Sequence, residues 1–162
     1  MASQAVLHFV LTFGWLVLTG DFAFQNIALG YIVGGAILSF YAFRRNERLY
    51  IWRILASVKL MLVLLWEQVK SSIEVAWHVL SPELKISPAI IGLPLRVTSD
   101  AEITVVANLL TLTPGGVSIH VSEDRSTLYM HVINVEDPDT PPASLIATKE
   151  RFENLVMEVT RP

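Results

Sequence analysis

Apolar and polar positions divide the chain near residue 81. Ahead of it lie two almost unbroken apolar runs and one amphipathic stretch; beyond it come short alternating segments separated by turn residues. The first run, Ser3 to Gly20, reaches about 27 Å as a helix, just enough for a hydrocarbon core of about 30 Å. The second, Phe22 to Phe43, carries no charged residue and reaches roughly 33 Å. Only Gly20 and Asp21 separate them. Residues 1–43 therefore predict a tight antiparallel transmembrane hairpin whose two free ends lie on one side of the bilayer. "MASQ" has no basic region and Gly20-Asp21 is no A-x-A cleavage site, which favours a retained first span over a cleaved signal peptide.

Charge orients this hairpin. Residues 44–53, "RRNERLYIWR", hold Arg44, Arg45, Arg48 and Arg53, and short loops rich in Lys and Arg stay on the cytoplasmic side. Both ends are expected inside, with Tyr41, Tyr50 and Trp52 as aromatic anchors of that interface. In the second run Gly30 and Gly34 form a small-xxx-small pair, and Gly35 with Ser39 forms another. Such a stripe lets a neighbouring helix backbone come close. The neighbour is either the first span of the same hairpin or a helix of another subunit. His8 lies within the first run, and intramembrane ionisable groups suggest proton relay; its place near the end of the run favours an ordinary interfacial histidine.

Residues 54–80 test the topology. At about 100° per residue, Lys59, Glu67, Lys70, Glu74 and His78 fall within an arc of about 100°. Leu55, Val58, Leu62, Leu65, Val69, Ile73, Ala76 and Leu80 gather on the opposite side. A third crossing would put Lys59 and Glu67 in hydrocarbon, at roughly 2.5–3.5 kcal/mol per central charge, and carry the acidic half of the chain across. An amphipathic interfacial helix is the preferred reading, with a re-entrant path or a third span as alternatives. Ile54 to Trp66 is apolar nearly all round, so this part could dip into lipid or lie under neighbouring protein. Glu67, Glu74 and His78 are candidate proton-handling groups. The spacing of Glu67, Lys70 and Glu74 also makes ordinary surface pairs on a solvated face, and that reading carries more weight. Ser81-Pro82 ends the helix, because the residue before proline avoids the α region.

Residues 81–162 predict a small cytoplasmic α+β domain. Ile90 to Val97 is a β-rich run whose Pro94 marks an edge or a bent end. Ser99 or Asp100 caps a helix with apolar positions at Ile103, Val106, Leu109, Leu110 and Leu112, stopped by Pro114-Gly115-Gly116. A hairpin turning at Glu123 to Ser126 follows, with Val117, Ile119 and Val121 pointing one way and Leu128, Met130, Val132 and Ile133 on the returning strand. After the loop "DPDTPPASL", a helix over Ala143 to Val159 turns Leu145, Phe152, Leu155, Val156 and Val159 inward. The order is β-α-β-β-α, with the first two strands parallel across a right-handed crossover.

Composition and charge agree with this division. The chain is 52% hydrophobic and only 17% charged. Residues 81–162 carry eleven acids against six bases, whereas the acids before them are Asp21, Glu47, Glu67 and Glu74. A net charge of -3 gives no electrostatic footprint for nucleic acid. With no cysteine, thiol nucleophiles, disulfides and thiolate metal sites are excluded. Thr111, Thr113, His120 and His131 could form a polar pocket beside Pro114-Gly115-Gly116, but no nucleophile, base and orienter share a recognisable spacing. The Pro-Gly-Gly run lacks phosphate-loop spacing. His120 and His131, without nearby well-placed carboxylates, make a poor metal site. No catalytic, cofactor-binding or metal-ligating residues are therefore assigned, and the chain does not read as an enzyme.

The hairpin, "IWRILASVKLMLVLLWEQVKSSIEVAWHVL" and "SPAIIGLPLRVTSDAEITVVANLLTLTPGGVSIHVSEDRSTLYMHVINVED" together resemble the E-type subunits of the Mrp-type multisubunit cation/proton antiporters of bacteria. The most specific part is "ANLLTLTPGGVSIHVSEDRSTLYMHVINVED", where the T-P-G helix stop, the acidic turn and the aromatic strand occur in the family's order. The resemblance implies an accessory, non-catalytic subunit of an inner-membrane complex that exchanges protons for Na+ or K+, helping its assembly and stability. Its partners would be other membrane subunits and the lipid bilayer, and translocation would belong to larger subunits. The alternative is a membrane-anchored regulatory module whose α+β domain senses a cytoplasmic ligand.

Overall fold

The computed structural model describes residues 2–45, 49–82, 86–135, 137 and 140–161. Glu47, Arg48 and part of the "DPDTPPASL" loop, each singled out above, lie outside the described residues. The chain forms two compact units, one up to Leu55 and one over Ala56–Arg161.

In the first unit α1 (Ala2–Thr19) and α2 (Phe24–Arg45) pack on each other as a helical hairpin. Gly20 adopts φ 66 at the turn, a left-handed conformation that costs glycine little. Its N–H closes α1 on the carbonyl of Leu16 at 3.0 Å. Asn26 then ties the turn: its amide donates to Thr19 Oγ1 and to the carbonyl of Asp21, both at 2.6 Å, while Oδ1 accepts from Trp15 Nε1 at 3.1 Å. By length and composition α2 can cross a membrane, whereas the described apolar part of α1, Gln4–Thr19, is shorter. Helix takes in both described ends of the basic segment: α2 runs through Arg45, and α3 (Tyr50–Leu80) starts ahead of Ile54. Arg44 and Arg45 lie over the rings of Phe40 and Tyr41 in the last turn of α2.

The second unit holds α3 from Ala56 onward, β1 (Ala89–Pro94), α4 (Asp100–Leu112), β2 (Gly116–Val121), β3 (Thr127–Val132) and α5 (Ala143–Thr160). The β-α-β-β-α order is the one expected. Ser99 is the N-cap of α4, accepting from the N–H of Glu102 at 3.3 Å, and Gly115, at φ 102, follows the helix end.

The sheet order is β1-β3-β2, with β3 antiparallel to both neighbours. The first two strands run in the same direction, as anticipated, yet they do not pair. The short β2–β3 turn brings β3 beside β2, and β1 adds on the far edge of β3, ending at Pro94, after which the N–H of Leu95 still donates to the carbonyl of Ser126 at 2.7 Å.

One facing prediction is corrected. Val117 and Ile119 are 52% and 55% exposed, while Val121 packs against the core. The register slips between Ser118 and His120, and such a bulge reverses the faces on either side of it. Gly116 and Ser118 occupy inward positions instead. A Cβ on Gly116 would lie 3.2 Å from Met130 Cε, and Ser118 Oγ donates to the carbonyl of Ala107 at 3.0 Å. The core is Leu93, Val97, Val106, Leu110, Leu128, Met130, Phe152 and Val156, all fully buried, with Leu60, Val63 and Leu64 of α3 packed against it.

Candidate functional site

Two places collect the residues singled out from the sequence. The first is the glycine stripe of α2. Gly30 and Gly34 are buried, and the helix they admit is α1. A Cβ on Gly30 would sit 2.8 Å from Trp15 Cδ1, and one on Gly34 3.1 Å from His8 Cδ2. Gly35 lies at the edge of the same contact, its notional Cβ 3.5 Å from His8 Nε2. Ser39 is exposed, its hydroxyl donating to the carbonyl of Gly35 at 2.7 Å. Of the two partners left open for this stripe, Gly30 and Gly34 take α1 of the same hairpin.

His8 occupies the space those glycines create. It is only 5% exposed. Nε2 lies 2.9 Å from the carbonyl of Tyr31 and Nδ1 2.8 Å from the hydroxyl of Tyr50. A carbonyl only accepts, so Nε2 carries the hydrogen, and a neutral ring then accepts from Tyr50 at Nδ1. The Tyr31 and Tyr50 hydroxyls are 3.1 Å apart, and the N–H of Tyr50 donates to Gln4 Oε1 at 3.0 Å. The histidine thus joins α1, α2 and the first turn of α3.

The second place is the polar face of α3. Glu67 was expected on a solvated face, yet it is 4% exposed. Arg151 Nη1 of α5 reaches its Oε1 at 2.7 Å, and Lys70 Nζ lies 4.0 Å from Oε2. About two turns earlier, Lys59 Nζ meets Glu158 Oε2 at 2.8 Å. The charged arc of α3 is therefore turned toward α5, because Leu60, Val63 and Leu64, within that arc or at its border, seat on the core. A cavity of ≈ 130 Å³ opens beside Glu67, and Glu74, His78, Thr113, Asn134 and Ser144 are among the residues that line it. All three candidate proton-handling residues converge there; the carboxylate of Glu67 is committed to bracing two helices.

The pocket envisaged from Thr111, Thr113, His120 and His131 does not form as one site. Thr113 lines the cavity, with its hydroxyl on the carbonyl of Leu110 at 2.6 Å. Thr111 Oγ1 instead accepts from the N–H of Ser118 at 3.1 Å. His120 stacks on Tyr129 at 6.3 Å, and His131 pairs in register with Val117. Among the described residues no three His, Asp or Glu side chains are grouped to hold a metal ion.

Two further charge clusters were missed from the sequence. Glu102 takes Arg161 on both oxygens, at 3.1 and 3.0 Å, and Thr160 Oγ1 at 2.6 Å. The Arg161 guanidinium, followed by the Thr160 hydroxyl, pulls its carboxyl down to about 2. Lys149 and Glu153 form an ion pair of 3.1 Å with side chains 3% and 0% exposed; Lys149 also donates to the carbonyl of Pro94, and Glu153 Oε1 accepts from the N–H of Arg96 at 2.7 Å. The i,i+4 spacing of Lys149 and Glu153 was a legible signal; their burial was not.

An apolar hairpin containing a membrane-length helix, joined in one chain to a three-stranded α+β unit whose buried charges serve as braces, defines a membrane-associated protein. The sequence model of the Na+/H+ ion antiporter subunit family matches residues 8–159, and the chain belongs to that family, among its E-type subunits. It is 34% identical to the E-type Na+/H+ antiporter subunit of Bacillus subtilis strain 168, over 99% of this chain and 100% of that one. It is also 34% identical to the E1-type Na+/H+ antiporter subunit of Staphylococcus haemolyticus strain JCSC1435, over 98% of each. Among solved structures, a chain of the membrane-bound sulfane sulfur reductase, an archaeal respiratory membrane complex, aligns over 96% of this chain and 99% of its own. Its TM-score is 0.57 and its identity 26%.

Proposed function

We propose that this chain is an accessory, non-catalytic subunit of a multisubunit Na+ or K+/proton antiporter, contributing to the assembly and stability of the complex while sister membrane subunits supply the ion path. In this reading α1 and α2 cross the bacterial cell membrane, and Arg44, Arg45 and the α+β unit lie on the cytoplasmic side. The supporting observation is the state of His8. Both of its ring nitrogens are engaged in contacts between helices, and the glycine face that shelters it is filled by α1. A translocating residue in a hairpin needs an open, water-reachable partner; His8 instead acts as a joint. The exposed side of α2 around Ser39 is the part left to meet a sister subunit.

The test separates amount from activity. Complex recovery from the membrane and cation-driven proton movement in everted vesicles are measured for His8→Gln, Glu67→Gln, Glu74→Gln and His78→Gln. The expected result is that any loss of exchange matches loss of assembled complex. A variant that assembles normally but no longer exchanges ions would overturn the accessory role. The cavity beside Glu67 supports a second reading, a regulatory module that binds a cytoplasmic ligand. Metabolite-dependent stabilisation of the full chain, abolished by Glu74→Gln, would favour that reading.

A further inference from the structure

Helix α3 has two opposed faces, and only one is used inside the protein. Glu67 is buried, and Leu60, Val63 and Leu64 pack on the core. On the side about 130° away around the helix, Leu62, Leu65, Trp66, Ile73, Trp77 and Leu80 are between 54% and 80% exposed. Glu67 of the charged arc is taken up by the protein while an apolar stripe is presented outward, unlike an ordinary amphipathic helix on a soluble domain.

We propose that this stripe, from Val58 to Leu80, lies flat on the membrane surface, with lipid headgroups and the upper acyl chains as its occupant. Three features commit it to lipid. Beside the stripe stand Lys59 and Lys70, whose side chains are 57% and 60% exposed even though Lys59 pairs with Glu158 at 2.8 Å and Lys70 lies 4.0 Å from Glu67; each ammonium has three donors, enough to keep its carboxylate and still meet an anionic headgroup. Their long stems can run along the apolar strip and leave the ammonium at headgroup level. Trp66 and Trp77 supply the amphipathic rings that collect at the bilayer boundary. The helix that carries the stripe also begins close behind α2 in the chain: residues 46–49 alone separate Arg45 from Tyr50, a reach of at most about 18 Å.

The packed face excludes a crossing. Running α3 through hydrocarbon would carry Arg151 and Glu158 with it, at side-chain exposures of 54% and 43%. The inference rests on the reading of α2 as a span, and its test is independent of transport. Because the chain has no cysteine, spin labels go to single sites: Leu62→Cys, Val69→Cys and Ile73→Cys on the stripe, with Ser71→Cys, which lines the cavity on another side of the helix, as the control. The full-length chain is placed in vesicles of phosphatidylethanolamine and phosphatidylglycerol. Oxygen should relax the stripe labels more than an aqueous nickel chelate does, at one shared depth of about 5–10 Å. Greater accessibility to nickel, or a depth that rises steadily toward the bilayer centre, would overturn the proposal. A photo-crosslinker at Leu62 and Ile73 in the assembled complex should capture lipid; capture of another protein chain would also overturn it. Loss of ion exchange or of assembly, by contrast, bears on the accessory role and leaves these depths unaffected.

Discussion

Arg151 of α5 donates to Glu67 of α3 at 2.7 Å, although 84 positions separate them in sequence. The carboxylate is buried while the guanidinium remains half exposed, so the pair acts as a clamp between α3 and α5. Replacing Glu67 with Ala leaves Arg151 access to water and should cost about 1–3 kcal/mol. The full-length chain should melt earlier in detergent. Arg151→Ala should cost at least as much, because it strands a buried carboxylate with only Lys70 near it. Equal stability of all three proteins would refute the clamp.

The hairpin makes a ranked prediction. Gly30→Ala pushes a methyl to 2.8 Å from the Trp15 ring, which its bond to Asn26 holds in place. Gly34→Leu drives a larger group into His8, Thr12 and Leu11. Each should destabilise by about 1–3 kcal/mol, the usual cost of overpacking, and lower recovery of the intact complex. Gly14→Ala, with nothing within 4 Å, should not. Recovery that falls with Gly14→Ala but not with Gly34→Leu would contradict the packing described.

Glu102 predicts acid sensitivity. Its carboxyl is lowered from 4.5 to about 2, so the folded state binds this proton less readily than the unfolded chain. The contribution is fully present above about pH 4.5 and drains away as pH falls toward 2. Glu102→Gln should lower stability at pH 7 by about 1–2 kcal/mol. It should also flatten the loss of stability between about pH 5 and 3, read by thermal melting of the full chain, in proportion to this one site. A variant whose melting temperature falls in parallel with the parent over that range would count against the assignment.

Lys149 and Glu153 offer a rescue experiment. Lys149→Met strands a fully buried carboxylate and should cost about 3–5 kcal/mol. Adding Glu153→Gln removes the charge while keeping an oxygen for the N–H of Arg96, whose bond is 2.7 Å in the parent. The double variant should recover most of the loss in chemical denaturation. No recovery would mean that the ion pair contributes more than mutual neutralisation.

Periodicity alone was enough for much of this chain: two apolar runs, an amphipathic third helix, the order of short elements after residue 81, a cap at Ser99 or Asp100 and the glycine that follows α4. These are local properties, set by residues within a turn or two of each other. The candidate residues Glu67, Glu74 and His78 were also found in this way, and they do share one cavity. What covers a face is not local. The same pattern that put Glu67 on a polar arc could not tell water from Arg151, and the Gly30–Gly34 stripe matched a helix of the same hairpin or of another subunit equally well. The slip between Ser118 and His120 turned Val117 and Ile119 outward, since a single extra residue reverses a period of two. The sequence by itself determined which residues stand side by side along each element. Only the tertiary structure decided what each side is pressed against, because that choice depends on contacts closed across long stretches of chain, where burial and charge pairing are settled together.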